Sequence, residues 1–148
     1  MNLKAIGTKA ERELIKMFWK TNSWIAIRAA GSGCSRYPSP DILAGNILRK
    51  LAIECKTTRS KNNIYIPKEE IEQLEEFSSR FGAEPWLGIR FKEKEWYFLS
   101  LEDTKQTSKN HCISTTLAKQ KGLLFEELIA TFKNNNTQEI NNGSSFSI

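Results

Sequence analysis

A ten-residue segment rich in aliphatic side chains, residues 47–56, constrains the fold of this chain most strongly. A shorter strand-like segment, residues 41–44, precedes it, and the Gly45-Asn46 pair between them is a turn signal that favours an antiparallel hairpin. Strand side chains alternate between two faces. One face of the longer segment would carry Ile47, Arg49, Leu51, Ile53 and Cys55, and the other Leu48, Lys50, Ala52, Glu54 and Lys56.

The remaining segments alternate between helical and strand-like patterns. Helical periodicity covers residues 8–20, and Pro67 and Gly82 are the start and stop signals of a second helix. Further strands are predicted at 24–28, 64–66, 86–91 and 96–101, the last two as an antiparallel pair, and a last amphipathic helix at 123–132. This order predicts a single α/β domain, residues 1–132, with a central mixed sheet flanked by helices. Residues 133–148, rich in Asn and Ser, are expected to form a disordered tail.

The charge of the chain is unevenly distributed along it. The formal net charge is +5, but residues 1–66 contain twelve Lys and Arg against four Asp and Glu, whereas residues 67–148 contain ten against thirteen. A basic half indicates a surface for a polyanion, of which nucleic acid is the most obvious. No apolar run approaches the roughly 18 residues of a membrane helix. Three cysteines without close spacing fit a reducing compartment and neither a disulfide framework nor a zinc knuckle.

Two acids and a lysine of the predicted hairpin are candidates for a metal site. Glu54 and Lys56 would project from one face, about 7 Å apart, either as a salt-bridged surface pair or as a cation ligand beside an ammonium that polarises water. A strict two-residue turn would pair Asp41 with Lys50, whereas a longer loop or a bulge would bring Asp41 to Glu54. Two converging carboxylates repel unless a cation lies between them, and their oxygens suit Mg²⁺ or Mn²⁺.

The first predicted helix carries an acid with two possible roles. Residues 8–11 have the pattern of a capping box, in which Glu11 would reach back to the start of the helix. Glu11 also aligns with Leu14 on the inward stripe of the helix, from where it could line a site. Glu13 falls on the solvent side and is interpreted as a surface residue. The single histidine, His111, excludes a multi-histidine metal site and is expected to have no functional role.

Several motifs in one order carry a resemblance to a known family. Pro40-Asp41, twelve intervening residues and Glu54-Cys55-Lys56 form the pattern of the PD-(D/E)XK nucleases. Together with that pattern, the chain resembles the archaeal Holliday junction resolvases, which occur in archaea and their viruses, over roughly residues 5–101. The motifs that carry the resemblance lie at residues 7–14, 28–32, 40–45 and 53–56.

The resemblance implies a homodimeric, Mg²⁺-dependent endonuclease of the cytoplasm with a restriction-endonuclease-like core, which cuts two opposed strands of a four-way DNA junction symmetrically. It implies that Asp41 and Glu54 hold the metal ion together with the backbone carbonyl of Cys55. Glu11 would belong to the same acidic cluster, directly or through water, and Lys56 would orient or activate the attacking water. Mn²⁺ is a possible substitute for Mg²⁺.

The resemblance also assigns contacts with DNA and with a second subunit. Arg12 and Arg28 would contact phosphate near the cut, and Ser32 would lie in a loop that approaches DNA. The remaining basic residues near these motifs would either follow the phosphates or lie on a solvated surface; they are Lys9, Arg36, Arg49, Arg59 and Lys61. The second helix has an apolar stripe that would pack on its own sheet or in part against a partner subunit, formed by Ile71, Leu74, Phe77 and Phe81.

Two other functions are compatible with these residues. The first is a PD-(D/E)XK restriction or repair endonuclease that acts on linear duplex, although the helical Glu11-Arg12 pair and the short chain without a specificity domain argue against it. The second is a non-catalytic DNA-binding protein, which would have no need for the acids of the motif. Metal-dependent nicking of DNA separates the catalytic functions from the non-catalytic one.

Overall fold

The computed structural model describes residues 2–29 and 37–130 of the chain. The predicted DNA contacts Ser32 and Arg36 and the predicted tail from residue 133 lie outside the described residues. The elements are α1 (Leu3–Trp19), β1 (Ile25–Arg28), β2 (Ile42–Gly45), β3 (Lys50–Thr58), β4 (Asn63–Pro67), α2 (Lys68–Phe81), β5 (Glu84–Phe91), β6 (Trp96–Leu99), a 3₁₀ turn (Leu101–Asp103), β7 (Lys105–Gln106), β8 (Asn110–Ser114) and α3 (Thr115–Lys121).

Five strands form the main sheet, in the order β1-β2-β3-β5-β6. β3 is the longest strand, and it runs antiparallel to β2 and parallel to β5. A parallel pair needs a crossover connection, which β4 and α2 supply here. β5 and β6 form the antiparallel pair that the sequence predicts. The sheet is therefore mixed and flanked by helices, as the sequence pattern indicates.

The loop between β2 and β3 is longer than a two-residue turn. Gly45 pairs with Lys50, so that residues 46–49 form the connection. The side-chain oxygen of Asn46 accepts hydrogen bonds from the backbone N–H groups of the two residues before Lys50, at 2.9 and 2.6 Å. This local turn, which asparagine forms readily, closes the four-residue loop. The predicted strand therefore begins at residue 50 rather than at residue 47.

This loop length sets which residues of the two strands lie opposite each other. Ile42 of β2 pairs with Ile53 of β3. Asp41, the residue before β2, therefore lies beside Glu54, and the alternative pairing of Asp41 with Lys50 is wrong. The loop thus brings to one end of the hairpin the two carboxylates that the sequence separates by twelve residues.

The sheet packs a hydrophobic core against each of its faces. On one face, α1 buries Leu14 and Phe18 against β1, β2, β3 and β6, together with residues 125–130, which are helical at the limit of the described chain. On the other face, α2 buries Ile71 and Leu74 against β3, β5, β6 and the smaller sheet. The two cores hold the central strand β3, which carries Glu54 and Lys56 of the candidate site.

A second sheet and a helix were not predicted from the sequence. β4, β8 and β7 form a three-stranded sheet, and α3 follows β8 directly. β8 buries only His111 and Ile113, so that its pattern is too short and too polar to be recognised as a strand. The buried His111 contacts the hydroxyl of Thr104 through Nδ1 at 2.6 Å, which is a packing role.

The helix boundaries correct one prediction about Glu11. α1 begins at Leu3, where the side chain of Asn2 accepts a hydrogen bond from the N–H of Ala5 at 2.8 Å. Glu11 therefore lies well inside the helix, and the capping-box interpretation is wrong. α2 ends as predicted at Gly82, whose φ of +79° favours glycine. Within residues 2–29 and 37–130, no helix is both long and apolar enough to span a membrane.

Candidate active site

Two carboxylates meet where β2 begins, opposite the middle of β3. The Oδ2 atom of Asp41 accepts a hydrogen bond from the backbone N–H of Cys55 at 2.8 Å, which fixes the aspartate against β3. The register of the hairpin brings the carboxyl group of Glu54 beside that of Asp41. Burial raises the pKa of Glu54 to about 8, and the negative charge of Asp41 adds to this effect. Without a cation, protonation of Glu54 is therefore favoured near neutral pH.

The donor set at this point fits a hard divalent cation. Two half-buried carboxyl groups held side by side repel each other when both are charged, and a cation between them would neutralise both. The oxygens of Asp41 and Glu54, with the backbone carbonyl of Cys55 beside them, are the kind of ligand that Mg²⁺ and Mn²⁺ prefer. Over the two described ranges, no group of three or more His, Cys, Asp or Glu side chains is arranged as a complete metal site. If two carboxylates and a carbonyl bind the cation, water and phosphate oxygens would fill its remaining coordination positions.

Glu11 faces this pair from α1 but has a partner of its own. Its Oε2 atom lies 2.5 Å from Nε of Arg28 on β1, and the same guanidinium donates to the hydroxyl of Thr8 at 3.3 Å. Burial raises the pKa of Glu11, and the charge of Asp41 adds to this rise while the hydrogen bond from Arg28 opposes it. The structure therefore brings Glu11 to the acidic cluster, and it pairs Arg28, a predicted phosphate contact, with that acid.

Lys56 lies between two acids on the same side of the sheet. Its Nζ atom is 4.0 Å from Oε1 of Glu54 and 2.7 Å from Oε2 of Glu70, in the first turn of α2. Burial lowers the pKa of Lys56, but the close ion pair with Glu70 and the charges of the surrounding acids together outweigh burial and raise it. Lys56 is therefore an ammonium ion at neutral pH. Sequence reasoning missed Glu70, because two acids in the first turn are an ordinary helix-start signal.

A groove of about 610 Å³ leads away from Lys56 between α1, the end of β3 and β4. Three of the predicted DNA contacts, Lys9, Arg59 and Lys61, line this groove. Arg59 forms an exposed ion pair with Glu93 at 2.7 Å. Arg12 is exposed on α1 outside this groove. The structure thus places three predicted phosphate contacts in one channel beside Lys56.

Arg49 does not lie on a DNA-facing surface. Its side chain is buried, with both oxygens of Glu84 at 2.8 Å and the carbonyl of Leu128 at 2.7 Å, and its guanidinium lies over the ring of Trp24. The interpretation of Arg49 as a phosphate contact is therefore wrong. The strand alternation was the available signal, since it put Arg49 on the same face as the inward side chains of β3.

The apolar stripe of α2 is divided between the core and the surface. Ile71 and Leu74 are buried in the core of the chain itself and offer no surface to a partner. Phe77 stacks on Phe81 with ring centroids 5.3 Å apart, and Phe81 is 48% exposed. Of the four predicted interface residues, only these two aromatic residues can contribute to a subunit contact.

Exposed apolar side chains of β1 face the same side of the sheet as these two aromatic residues. Ile25 is 55% and Ile27 58% exposed. Ile27 pairs with Leu43, which packs against the core on the α2 side, so that both isoleucines face that side. We call the surface formed by Ile25, Ile27, Phe77 and Phe81 the α2-side patch.

The mixed five-stranded sheet and the carboxylate pair followed by a lysine define a nuclease core of the PD-(D/E)XK class. The family model described as archaeal Holliday junction resolvase (Hjc) matches residues 2–137. The chain belongs to this family.

Individual relatives agree with the family model. The crossover junction endodeoxyribonuclease Hjc of Archaeoglobus fulgidus is 38% identical over 132 residues, which are 84% of this chain and 96% of that protein. Hje of Saccharolobus solfataricus, also named a crossover junction endodeoxyribonuclease, is 35% identical over 134 residues, 85% and 96% of the two chains. The crystal structure of A. fulgidus Hjc, a Holliday junction resolvase, superposes with a TM-score of 0.77 and 37% identity, and it covers 84% of this chain and 98% of its own.

Proposed function

We propose that this chain is a divalent-cation-dependent endonuclease that resolves four-way DNA junctions by symmetric phosphodiester hydrolysis. The observation that carries this proposal is the meeting of Asp41 and Glu54 at one end of the hairpin, with Lys56 on the same face of β3. Membership of the family supports the choice of substrate. The relatives that share the whole domain are named for crossover junctions.

Asp41, Glu54 and the backbone carbonyl of Cys55 would hold the cation, and Glu11 would contribute directly or through a water. When bound, a divalent cation lowers the pKa of water and neutralises charge on the phosphoryl group. The hydrogen bond from the Cys55 N–H fixes the direction of the Asp41 carboxylate. Lys56 acts as a cation: its ammonium orients the attacking water and stabilises the negative charge that develops on the phosphoryl oxygens.

The groove beside Lys56 is the proposed path of one DNA strand. Lys9, Arg59 and Lys61 line it and carry positive charge toward a phosphodiester backbone. Arg12 on α1 and Arg28 beside Glu11 would contact phosphates on the other side of the cut. These contacts place the DNA without reading its sequence, which suits an enzyme that recognises a branched shape.

A second copy of the chain is the proposed partner of the α2-side patch. Four large apolar side chains with exposed or half-exposed surface on one side of the sheet favour a protein contact there. A two-fold dimer through this patch would provide two active sites related by symmetry, as symmetric cutting of opposed strands requires. Sedimentation velocity at micromolar concentration should give a dimer, and Ile27→Glu should give a monomer. The control Leu124→Glu, on an exposed residue of another surface, should remain a dimer.

The test of the function is a cleavage assay. The purified chain is incubated with Mg²⁺ and a labelled synthetic four-way junction, and in parallel with linear duplex of the same sequence. We expect paired nicks in opposed strands of the junction, little cutting of the duplex, and none of either with a chelator. Equal cutting of the duplex would favour a restriction or repair endonuclease. Binding without any metal-dependent nick would favour a non-catalytic DNA-binding protein.

A further inference from the structure

The acid that lies closest to Lys56 does not belong to the sequence motif. Oε2 of Glu70 lies 2.7 Å from the Lys56 ammonium, whereas the nearest oxygen of Glu54 lies 4.0 Å away. This Glu70 oxygen is buried, and the ammonium compensates its charge. The Lys56 ammonium thus lies closer to α2 than to the carboxyl oxygens of Glu54.

The start of α2 contains a natural comparison for this contact. Glu69 and Glu70 both lie in the first turn, where the positive end of the helix dipole favours acids. A helix-start role would therefore be shared by both residues. Glu69 is exposed, whereas Glu70 reaches across to β3. The helix start explains two acids, but it does not explain why one of them contacts the lysine of the nuclease motif.

We propose that Glu70 is a positioning residue that holds the Lys56 ammonium beside the metal-binding carboxylates and keeps it from taking the place of the cation between them. This inference rests on the proposed nuclease function. A free lysine side chain samples many rotamers, and some of them would bring the ammonium to the oxygens of the two carboxylates while others would expose it to solvent. The contact with Glu70 restricts that movement and leaves Lys56 ready to act on water.

The solvent exposure of the Lys56–Glu70 ion pair argues that stabilising the fold is not its only role. The side chain of Lys56 is 29% and that of Glu70 38% exposed. Ion pairs of this exposure contribute little to folding, because water screens the two charges. Loss of Glu70 should therefore change the melting temperature little. A misplaced group at a reacting centre, by contrast, slows a reaction by up to about 100-fold.

The test compares Glu70→Gln with the control Glu69→Gln in single-turnover cleavage of the four-way junction, with enzyme and Mg²⁺ in excess. We expect Glu70→Gln to cut roughly 10- to 100-fold more slowly than Glu69→Gln. Junction Kd and melting temperature should agree between the two variants. Glu70→Asp, which keeps the charge on a shorter side chain, should recover part of the rate. Equal cleavage rates for the two glutamine variants would overturn the proposal.

A second measurement needs neither DNA nor metal. Lys56 is methylated with formaldehyde and a borohydride reductant, and the modified peptide is quantified by mass spectrometry. We expect methylation of Lys56 several-fold faster in Glu70→Gln than in wild type or Glu69→Gln, and an unchanged rate would overturn the proposal. If the wild type cuts no DNA, the proposed function fails. Faster methylation of Lys56 in Glu70→Gln would still support the inference that Glu70 restrains the Lys56 ammonium.

Discussion

The two ends of the β2–β3 hairpin hold their charges in opposite ways. In the loop that joins the two strands, the buried Arg49 has both oxygens of Glu84, a backbone carbonyl and the face of Trp24 as partners. At the open end of the hairpin, Glu54 lies beside a second acid, Asp41, and burial raises the pKa of Glu54 to about 8. One end is a balanced ion pair, and the other places like charges together.

This difference separates a structural site from a functional one. A buried cation with all its donors paired is what a stable core requires. Two carboxyl groups held close together cost stability at neutral pH, and a bound cation would remove that cost. The Arg49 end should therefore affect mainly the stability of the fold, and the end with Asp41 and Glu54 should affect mainly DNA cleavage. The following variants separate these two roles.

The largest expected effect is on cleavage at the acidic end. Asp41→Asn and Glu54→Gln should each slow junction cutting by roughly 1,000-fold, because each removes a charged ligand of the metal. Both variants should fold and bind the junction with an affinity close to that of the wild type. Single-turnover cleavage and electrophoretic mobility shift measure the two properties. Cutting at a near wild-type rate by either variant would contradict the ligand assignment.

The opposite pattern, a loss of stability without a loss of cleavage, is expected at the Arg49 end of the hairpin. Arg49→Leu should lower the free energy of unfolding by about 2–3 kcal/mol, below the ~3–5 kcal/mol of a fully buried pair because Glu84 is partly exposed. Its cleavage rate at low temperature should stay within about twofold of wild type. The exposed neighbour Lys50→Ala is the control, with a change within about 0.5 kcal/mol. Urea denaturation measures these values. Loss of cleavage activity in an Arg49→Leu protein that remains folded would contradict the separation of the structural site from the functional one.

The sequence allowed prediction of the acids but not of all their partners. The PD-(D/E)XK spacing identified Asp41 and Glu54, yet Gly45-Asn46 fits both a two-residue turn and a longer loop. The side chain of Asn46 selects the longer loop through two hydrogen bonds, a choice that spacing does not encode. The mixed sheet followed from the order of the apolar segments.

The contacts that sequence reasoning missed join distant parts of the chain. Glu70 reaches Lys56 across fourteen positions, and Arg49 reaches Glu84 across thirty-five. Such pairs depend on how α2 and β5 pack on β3, which local patterns do not specify. The small sheet escaped prediction for a similar reason, because β8 becomes a strand through its pairing with β4.

The stability of the metal-free chain should depend on pH through the acidic end. The pKa of Glu54 is higher in the folded chain than in the unfolded chain, so that folding favours the protonated acid. Stability should therefore fall as pH rises from about 6 to about 8, by up to about 1.4 kcal/mol per pH unit. Thermal unfolding in EDTA measures this slope.

Two variants test the assignment of that slope to Glu54. Glu54→Gln should flatten it, and Glu69→Gln should leave it unchanged. Added Mg²⁺ should raise the melting temperature of the wild type more at pH 8 than at pH 6, because the cation competes with the proton. An equal slope in wild type and Glu54→Gln would exclude Glu54 as its source.

The smallest expected effect concerns the groove. Lys61→Ala should weaken junction binding a few-fold and reduce the slope of log Kd against log salt concentration by about 1, because one phosphate contact is lost. Lys121→Ala, an exposed lysine at the end of α3, is the control and should change neither value. Fluorescence anisotropy at several salt concentrations measures both. An identical salt dependence for the two variants would remove Lys61 from the DNA path.

The most direct test of the central claim, that the acidic end of the hairpin is a cation site, is Mn²⁺ binding to the free protein measured by isothermal titration calorimetry. We expect at least one Mn²⁺ per chain in the wild type and in Arg49→Leu. Asp41→Asn should lose that binding while its melting temperature in EDTA is equal to or higher than that of the wild type, because one of the two repelling charges is gone. Undiminished Mn²⁺ binding by Asp41→Asn would contradict the account.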